Sequence, residues 1–213
     1  MTNEDFLFDI PHGVDRPMTS SEKHKKLRKS QAENSDRHHH PEEKIKQLES
    51  LSSHISGDIL EVFAGKGNLT RWYSERGNVT AMSKETTGDS FNYIYELRSK
   101  KKKYDVIDID GYGYPDKFFP VVFEMMKPKC LLIFTFPMVG VQCVNGIYEM
   151  HYAVFWKSNR PTIGDVVGGI TDMALREWTV PSLIDVTKMK PILRFAFLCE
   201  RKKATEMCNV RNR

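Results

Sequence analysis

Two glycines one residue apart, Gly65 and Gly67, follow an apolar run that carries the acid Glu61 and then Val62, Phe63 and Ala64. Glycine is needed where a backbone takes positive φ or comes within contact distance of a ligand, so this spacing between a strand and a helix predicts a tight turn. Ligands of open α/β sheets bind beyond the carboxyl ends of the strands. In this chain those ends are residues 63–68, 83–89, 108–115 and 135–140, and they offer Ser83, Glu85, Asp89 with Ser90 next to it, Asp108, Asp110 and Tyr112 as polar or flat side chains. A dinucleotide fold wants a third glycine where Thr70 stands and an acid where Ser83 stands, which disfavours a nicotinamide cofactor. The phosphate-loop pattern of spaced glycines followed by Lys and Ser or Thr is absent.

The elements that must position these residues follow from periodicity. Pro41, Glu42 and Glu43 suit a helix start, and Ile45, Leu48, Leu51 and Ile55 continue an apolar face until Gly57. A strand leads into the glycine turn, and residues 68–76 suit a helix stopped by Gly77. Residues 79–82 read as a short strand, 84–90 as a polar turn, and 91–103 as a helix with Phe91, Ile94, Tyr95 and Leu97 inward. A strand over 104–109, a helix over 118–126 and a fully apolar strand over 130–136 follow. Helices are expected over 148–156 and 163–178, then strands over 182–187 and 192–198. The connection between these last two is so short that they must be antiparallel, whereas strands separated by helices should be parallel. The predicted fold is therefore α/β: a mostly parallel sheet with a C-terminal antiparallel hairpin.

With 213 residues, 40% hydrophobic and 28% charged, the chain suits one domain over 41–213. Residues 1–40 are polar and basic with few spaced apolar positions, and read as a flexible tail. No apolar run reaches membrane-span length and the N-terminus lacks a signal-peptide layout, so a cytoplasmic protein with no membrane partner is expected. Cys130, Cys143, Cys199 and Cys208 have no paired spacing and read as reduced thiols. The adjacent His38, His39 and His40 have no acid or cysteine at ligand spacing, and no metal is expected. Net charge is only +4, but basic residues cluster over 23–29, 100–103 and 201–203, which supports a polyanionic partner weakly.

The string Glu61-x-Phe63-Ala64-Gly65-x-Gly67-Asn68-Leu69-Thr70, then Gly88-Asp89, then Asp108-x-Asp110-x-Tyr112-Gly113-x-Pro115, resembles the Rossmann-like, class I S-adenosylmethionine-dependent methyltransferases. The stretch from Asp108 to Pro115 also looks like the Asp-Leu-Asp-Pro-Tyr-Gly-Ser-Pro signature of the tRNA guanine-N2 dimethyltransferases. It departs from it at Gly111, where that family has proline, and at Tyr114, where it has a small residue. The large C-terminal domain of that family has no counterpart in the sequence. The resemblance implies S-adenosylmethionine as cofactor. Phe63, Ala64, Gly65, Gly67, Asn68 and Leu69 would frame its methionine moiety, and Glu61 would order the loop or accept from the amino group. An acid usually holds the ribose at the position of Ser83, so Glu85 could take that contact; Asp89, with Ser90 beside it, would accept from adenine. Asp110 would hold the N–H of the methyl-accepting nitrogen and Tyr112 would stack on a base, with Asp108 a further catalytic candidate that could instead cap or salt-bridge a neighbouring loop.

These readings converge on methyl transfer to an exocyclic base nitrogen in nucleic acid, RNA (tRNA-like) in preference to DNA. The alternatives are a small-molecule or protein methyltransferase, and a non-catalytic scaffold on a degenerate methyltransferase fold. Between Met82 and Tyr104 there is room for only one helix, so the sheet is expected to lack one edge strand.

Overall fold

The computed structural model describes residues 40–111, 115–137, 162–189 and 192–203. The elements belong to the compact unit Pro41–Arg213. The expected helix over 148–156, and Cys143, Cys208 and the three adjacent histidines apart from His40, lie outside the described residues.

In order, the elements are α1 (Pro41–Ser50), β1 (Gly57–Val62), α2 (Asn68–Ser74), β2 (Gly77–Met82), α3 (Lys84–Thr87), α4 (Ser90–Ser99), β3 (Tyr104–Ile109), α5 (Phe119–Met125), β4 (Met126–Pro137), α6 (Ile163–Arg176), β5 (Thr179–Met189) and β6 (Ile192–Arg201). Several boundaries differ from the sequence reading. Gly57 and Gly77 open strands and do not end helices: α1 gives way to a 3-10 turn over Ser52–His54, and α2 closes on Glu75. The polar turn after β2 is wound into the single turn α3, and both hairpin strands are longer than their apolar runs, because ladder pairing continues into polar residues.

The strands form one sheet in the order β2-β1-β3-β4-β6-β5. The pairs β1–β2, β1–β3 and β3–β4 are parallel, and β6 lies antiparallel between β4 and β5. Between Met82 and Tyr104 there is no strand, so β2 is the sheet edge, as the spacing predicted; the interval holds two helices and not one, because the polar turn winds into the single turn α3 before α4.

Two apolar layers flank the sheet. On one face α4, α5 and α6 cover Leu60, Val62, Ile107, Ile109, Phe134, Phe195 and Phe197. On the other, α1 and α2 cover Ile59, Val106, Leu131, Ile133 and Ala196. Side chains alternate between faces along a strand. The first face stays apolar along its length, whereas the second, followed toward the carboxyl ends, changes to Glu61, Asp108, Asp110, Thr135 and Arg194. That alternation places the polar residues beneath α1 and α2.

Phe134 centres the apolar layer, stacked on Phe195 at 5.2 Å and Phe197 at 5.9 Å, with Phe119 edge-on at 5.1 Å. Truncation to Phe134→Ala is expected to cost about 3–5 kcal/mol, read as a lower urea midpoint at unchanged m-value.

Candidate functional site

The turn after β1 has an unusual backbone. Phe63, Gly65 and Gly67 all take positive φ, at 70°, 52° and 76°. Left-handed backbone is unfavourable for a side chain as bulky as Phe63, and its persistence means that the surroundings hold it. Ala64 N–H donates to the Met82 carbonyl at 2.7 Å, and Gly67 N–H donates to the Ala64 carbonyl at 2.8 Å, closing the turn against β2. A Cβ at Gly65 would meet only the Phe63 carbonyl, at 3.9 Å, so the turn leaves open space in front of that backbone. Gly67 then caps α2, with Asn68 as its first residue and Leu69 buried in the core. The Asn68 side chain accepts from Arg71.

The Phe63 ring packs edge-on to Phe118 at 5.3 Å. It also lies over Gly111, where a Cβ would come within 2.6 Å of the ring. Gly111 and Phe63 thus fit as a pair, which explains why glycine stands where the similar signature has proline.

Under the turn lies a buried polar cluster. Glu61 is paired in register with Asp108 on the neighbouring strand, and their side chains share a face. Glu61 accepts from the Thr70 hydroxyl at 2.5 Å, which ties β1 to α2. Burial, with Asp108 and Asp110 close by, pushes its carboxyl up to about 7, although the Thr70 bond opposes the shift. Asp108 is fully buried and accepts from the Tyr73 hydroxyl at 2.7 Å and from the Arg194 guanidinium. Burial raises its carboxyl above the usual range despite Arg194.

Asp110 sits one residue past β3, its N–H on the Val62 carbonyl at 3.1 Å. Its two carboxylate oxygens accept from Lys44 of α1 and from Thr135 of β4, each at 2.6 Å, with Arg194 at 3.5 Å. Burial works to raise its pKa, but Arg194 and Lys44 outweigh burial and hold Asp110 below the usual carboxylate range. The side chain keeps 13% exposure, so this ionised acceptor still reaches the surface.

Other predicted residues serve as caps. Ser83 is buried, and its hydroxyl accepts from Thr86 N–H at 3.2 Å and meets the Thr86 hydroxyl at 3.0 Å, capping α3. Asp89 caps α4 by accepting from Phe91 N–H at 2.9 Å, and Ser90 behind it is buried. Glu85 belongs to α3. Tyr112 lies outside the described residues.

Lys44, Thr135, Arg194, Tyr73 and Gln47 were not singled out by motif. One signal was available: Arg194 interrupts an otherwise apolar strand, and such a charge must find partners when buried. Lys44 and Gln47 are three apart on one helix face, and Gln47 reaches Asp185 at 2.6 Å. The irregular register between Leu183 and Asp185 pairs Asp185 with Ala196, which turns it toward α1.

Glu61 makes stability depend on pH. Its folded value of about 7 lies above the reference 4.5, so between these the folded state holds a proton that the unfolded chain has released. Stability is therefore lost as pH rises through that window, by at most about 3 kcal/mol. Glu61→Gln keeps an acceptor for Thr70, and urea midpoints are expected to be flatter for this variant than for wild type between about pH 5 and about pH 8.

No protein-family model matches the sequence, and no curated protein matches it. Among solved structures, Trm1 from Pyrococcus horikoshii in complex with S-adenosyl-L-methionine aligns with a TM-score of 0.58 at 13% identity. The alignment covers 79% of this chain and 56% of that one, so this chain spans little more than half the length of that protein. A mutant of the 16S rRNA (adenine(1408)-N(1))-methyltransferase of Catenulisporales acidiphilia aligns at 0.50 and 8% identity, over 74% of this chain and 92% of that one. At such identities the likeness concerns the fold: this chain shares with these structures a Rossmann-like, mostly parallel sheet closed by an antiparallel hairpin, with β2 at its edge among the described residues.

Proposed function

We propose that the protein transfers a methyl group from S-adenosylmethionine to an exocyclic nitrogen of a nucleic-acid base, in RNA in preference to DNA. The observation that carries this reading is the turn after β1, whose left-handed Phe63, Gly65 and Gly67 leave backbone open to a ligand beside Asp110. The residues present fit the cofactor. The backbone from Ala64 to Gly67 would take the methionine moiety, the amino-terminal ends of α3 and α4, Asp89 among them, would take the ribose and adenine, and Glu61 holds the loop through Thr70. When bound, S-adenosylmethionine supplies an electrophilic methyl on a sulfonium centre.

Asp110 orients the acceptor. A base amino group has its lone pair delocalised into the ring, and a carboxylate that takes its N–H turns the lone pair toward the methyl and stabilises the positive charge that develops. Such an acceptor must be ionised, and Arg194 and Lys44 favour that state. Each Asp110 oxygen already accepts one protein donor, and a carboxylate oxygen has room for a second. Likeness to an rRNA methyltransferase and the basic runs favour nucleic acid as the substrate.

A second reading, a non-catalytic scaffold, is favoured by the same engagements: the Ser83 hydroxyl is consumed by a cap and Asp110 by an ion pair. Calorimetry with S-adenosylmethionine separates the two. Binding by wild type and its loss in Gly65→Val, where a branched side chain is forced into left-handed backbone, is the expected result; no binding by wild type would leave the scaffold. With labelled S-adenosylmethionine and total RNA followed by nucleoside analysis, Asp110→Asn is expected to lower transfer by about 10²-fold or more while cofactor affinity stays within a few-fold.

A further inference from the structure

The opposite end of the sheet carries features that the cofactor site does not use. Lys103 precedes β3 and Arg201 ends β6, so one residue from each of two basic runs far apart in sequence, 100–103 and 201–203, comes together at the amino-terminal ends of the parallel strands. Lys103 is held below its ordinary value by burial first and by neighbouring Arg201 second, which places the two cations together. Within this group Glu96 pairs with Lys100 and Glu200 with Lys202.

Trp178 stands in the middle of this charge. It is 48% exposed, the most exposed of the large hydrophobic residues described. Its backbone is left-handed, with φ 56°, and it is fixed there by Lys202 N–H donating to its carbonyl at 2.8 Å. A bulky residue rarely adopts that conformation, and its cost is retained where the surroundings over-determine it. The result is an indole at the rim of a concavity of about 480 Å³, lined by Pro128, Trp178, Arg201, Lys202 and Lys203.

We infer that this concavity is a second nucleic-acid contact, in which Trp178 stacks on an unpaired base while Arg201 and Lys203 hold the flanking phosphates. Single-stranded nucleic acid is bound by this pairing of an aromatic platform with a cationic groove, because every base has a flat face and every nucleotide a charge. From Pro128 to Phe136 along β4 is roughly 25 Å at about 3.3 Å per residue, so the contact is remote from Asp110. It therefore selects for polymer length: a mononucleotide fills one site, and only a longer strand reaches both. The inference rests on the proposed function for the choice of RNA as the polymer, but the contact itself operates without S-adenosylmethionine.

The test uses the full-length protein and a fluorescently labelled single-stranded oligouridylate, followed by anisotropy across a salt series without cofactor. Trp178→Ala is expected to weaken binding by about 5- to 150-fold with the salt slope unchanged, and Trp178→Phe to recover part of it, since a smaller ring still stacks. Arg201→Ala with Lys203→Ala is expected to reduce the salt slope by about 1.4, the share of two phosphates on a single strand. Urea midpoints near wild type show that the variants fold. Wild-type affinity in folded Trp178→Ala, an unchanged slope in the double variant, or binding to vesicles containing phosphatidylserine but not to the oligonucleotide would each overturn the inference. S-adenosylmethionine binding, measured separately, tests the cofactor site alone, so either reading can fail without the other.

Discussion

A guanidinium with no exposure to water sits in the middle of the sheet, and much of the candidate site depends on how Arg194 is balanced. Burying such an ion unpaired is prohibitive, and a buried pair returns the loss only where geometry and extra hydrogen bonds are good. Arg194 meets Asp108 directly, Thr135 at 3.2 Å and Asp110 at 3.5 Å. Burial alone would drive those carboxylates toward their neutral forms, and the guanidinium, which keeps its charge, would be left uncompensated. The arrangement is better understood as specifying geometry than as a net source of stability, because well-packed apolar residues would serve a core at least as well.

That balance reaches the docking of α1. Lys44 and Gln47 are nearly as buried as the leucines beside them, and their polar tips meet Asp110, Asp185 and the Arg194 carbonyl. The helix is thus placed by directed bonds as well as by Leu48. Asp110 is also tied through its N–H to the Val62 carbonyl, one residue before the strained Phe63, whose ring lies on Gly111. Turn and acceptor are therefore linked through two short contacts, and the cluster beneath them sets their separation.

The trimmed sheet asks more of the short connections. With no strand beyond β2 among the described residues, the chain between Met82 and Tyr104 makes two helix starts in quick succession. Ser83 and Asp89 are used for them, which is the ordinary work of such residues at helix ends. A polar side chain at a strand end can serve a cap and a ligand at once only if it has a free lone pair. A carboxylate such as Asp89 has more of these than the Ser83 hydroxyl.

The order and type of the elements were legible in the sequence wherever hydrophobic periodicity was strong. The strand over 104–109, the glycine turn, the antiparallel hairpin and the missing edge strand all follow from apolar runs and connection lengths, which are local properties of the chain. Gly57 and Gly77 open strands where the sequence suggests helix stops, because a glycine serves a strand start as readily as a helix stop. What only the tertiary structure decided is the company kept by the charges. Arg194 lies 86 positions from Asp108, and Lys44 lies 66 from Asp110. No spacing rule joins residues on different strands, and their ionisation depends on burial and on neighbours that exist only once the sheet has formed.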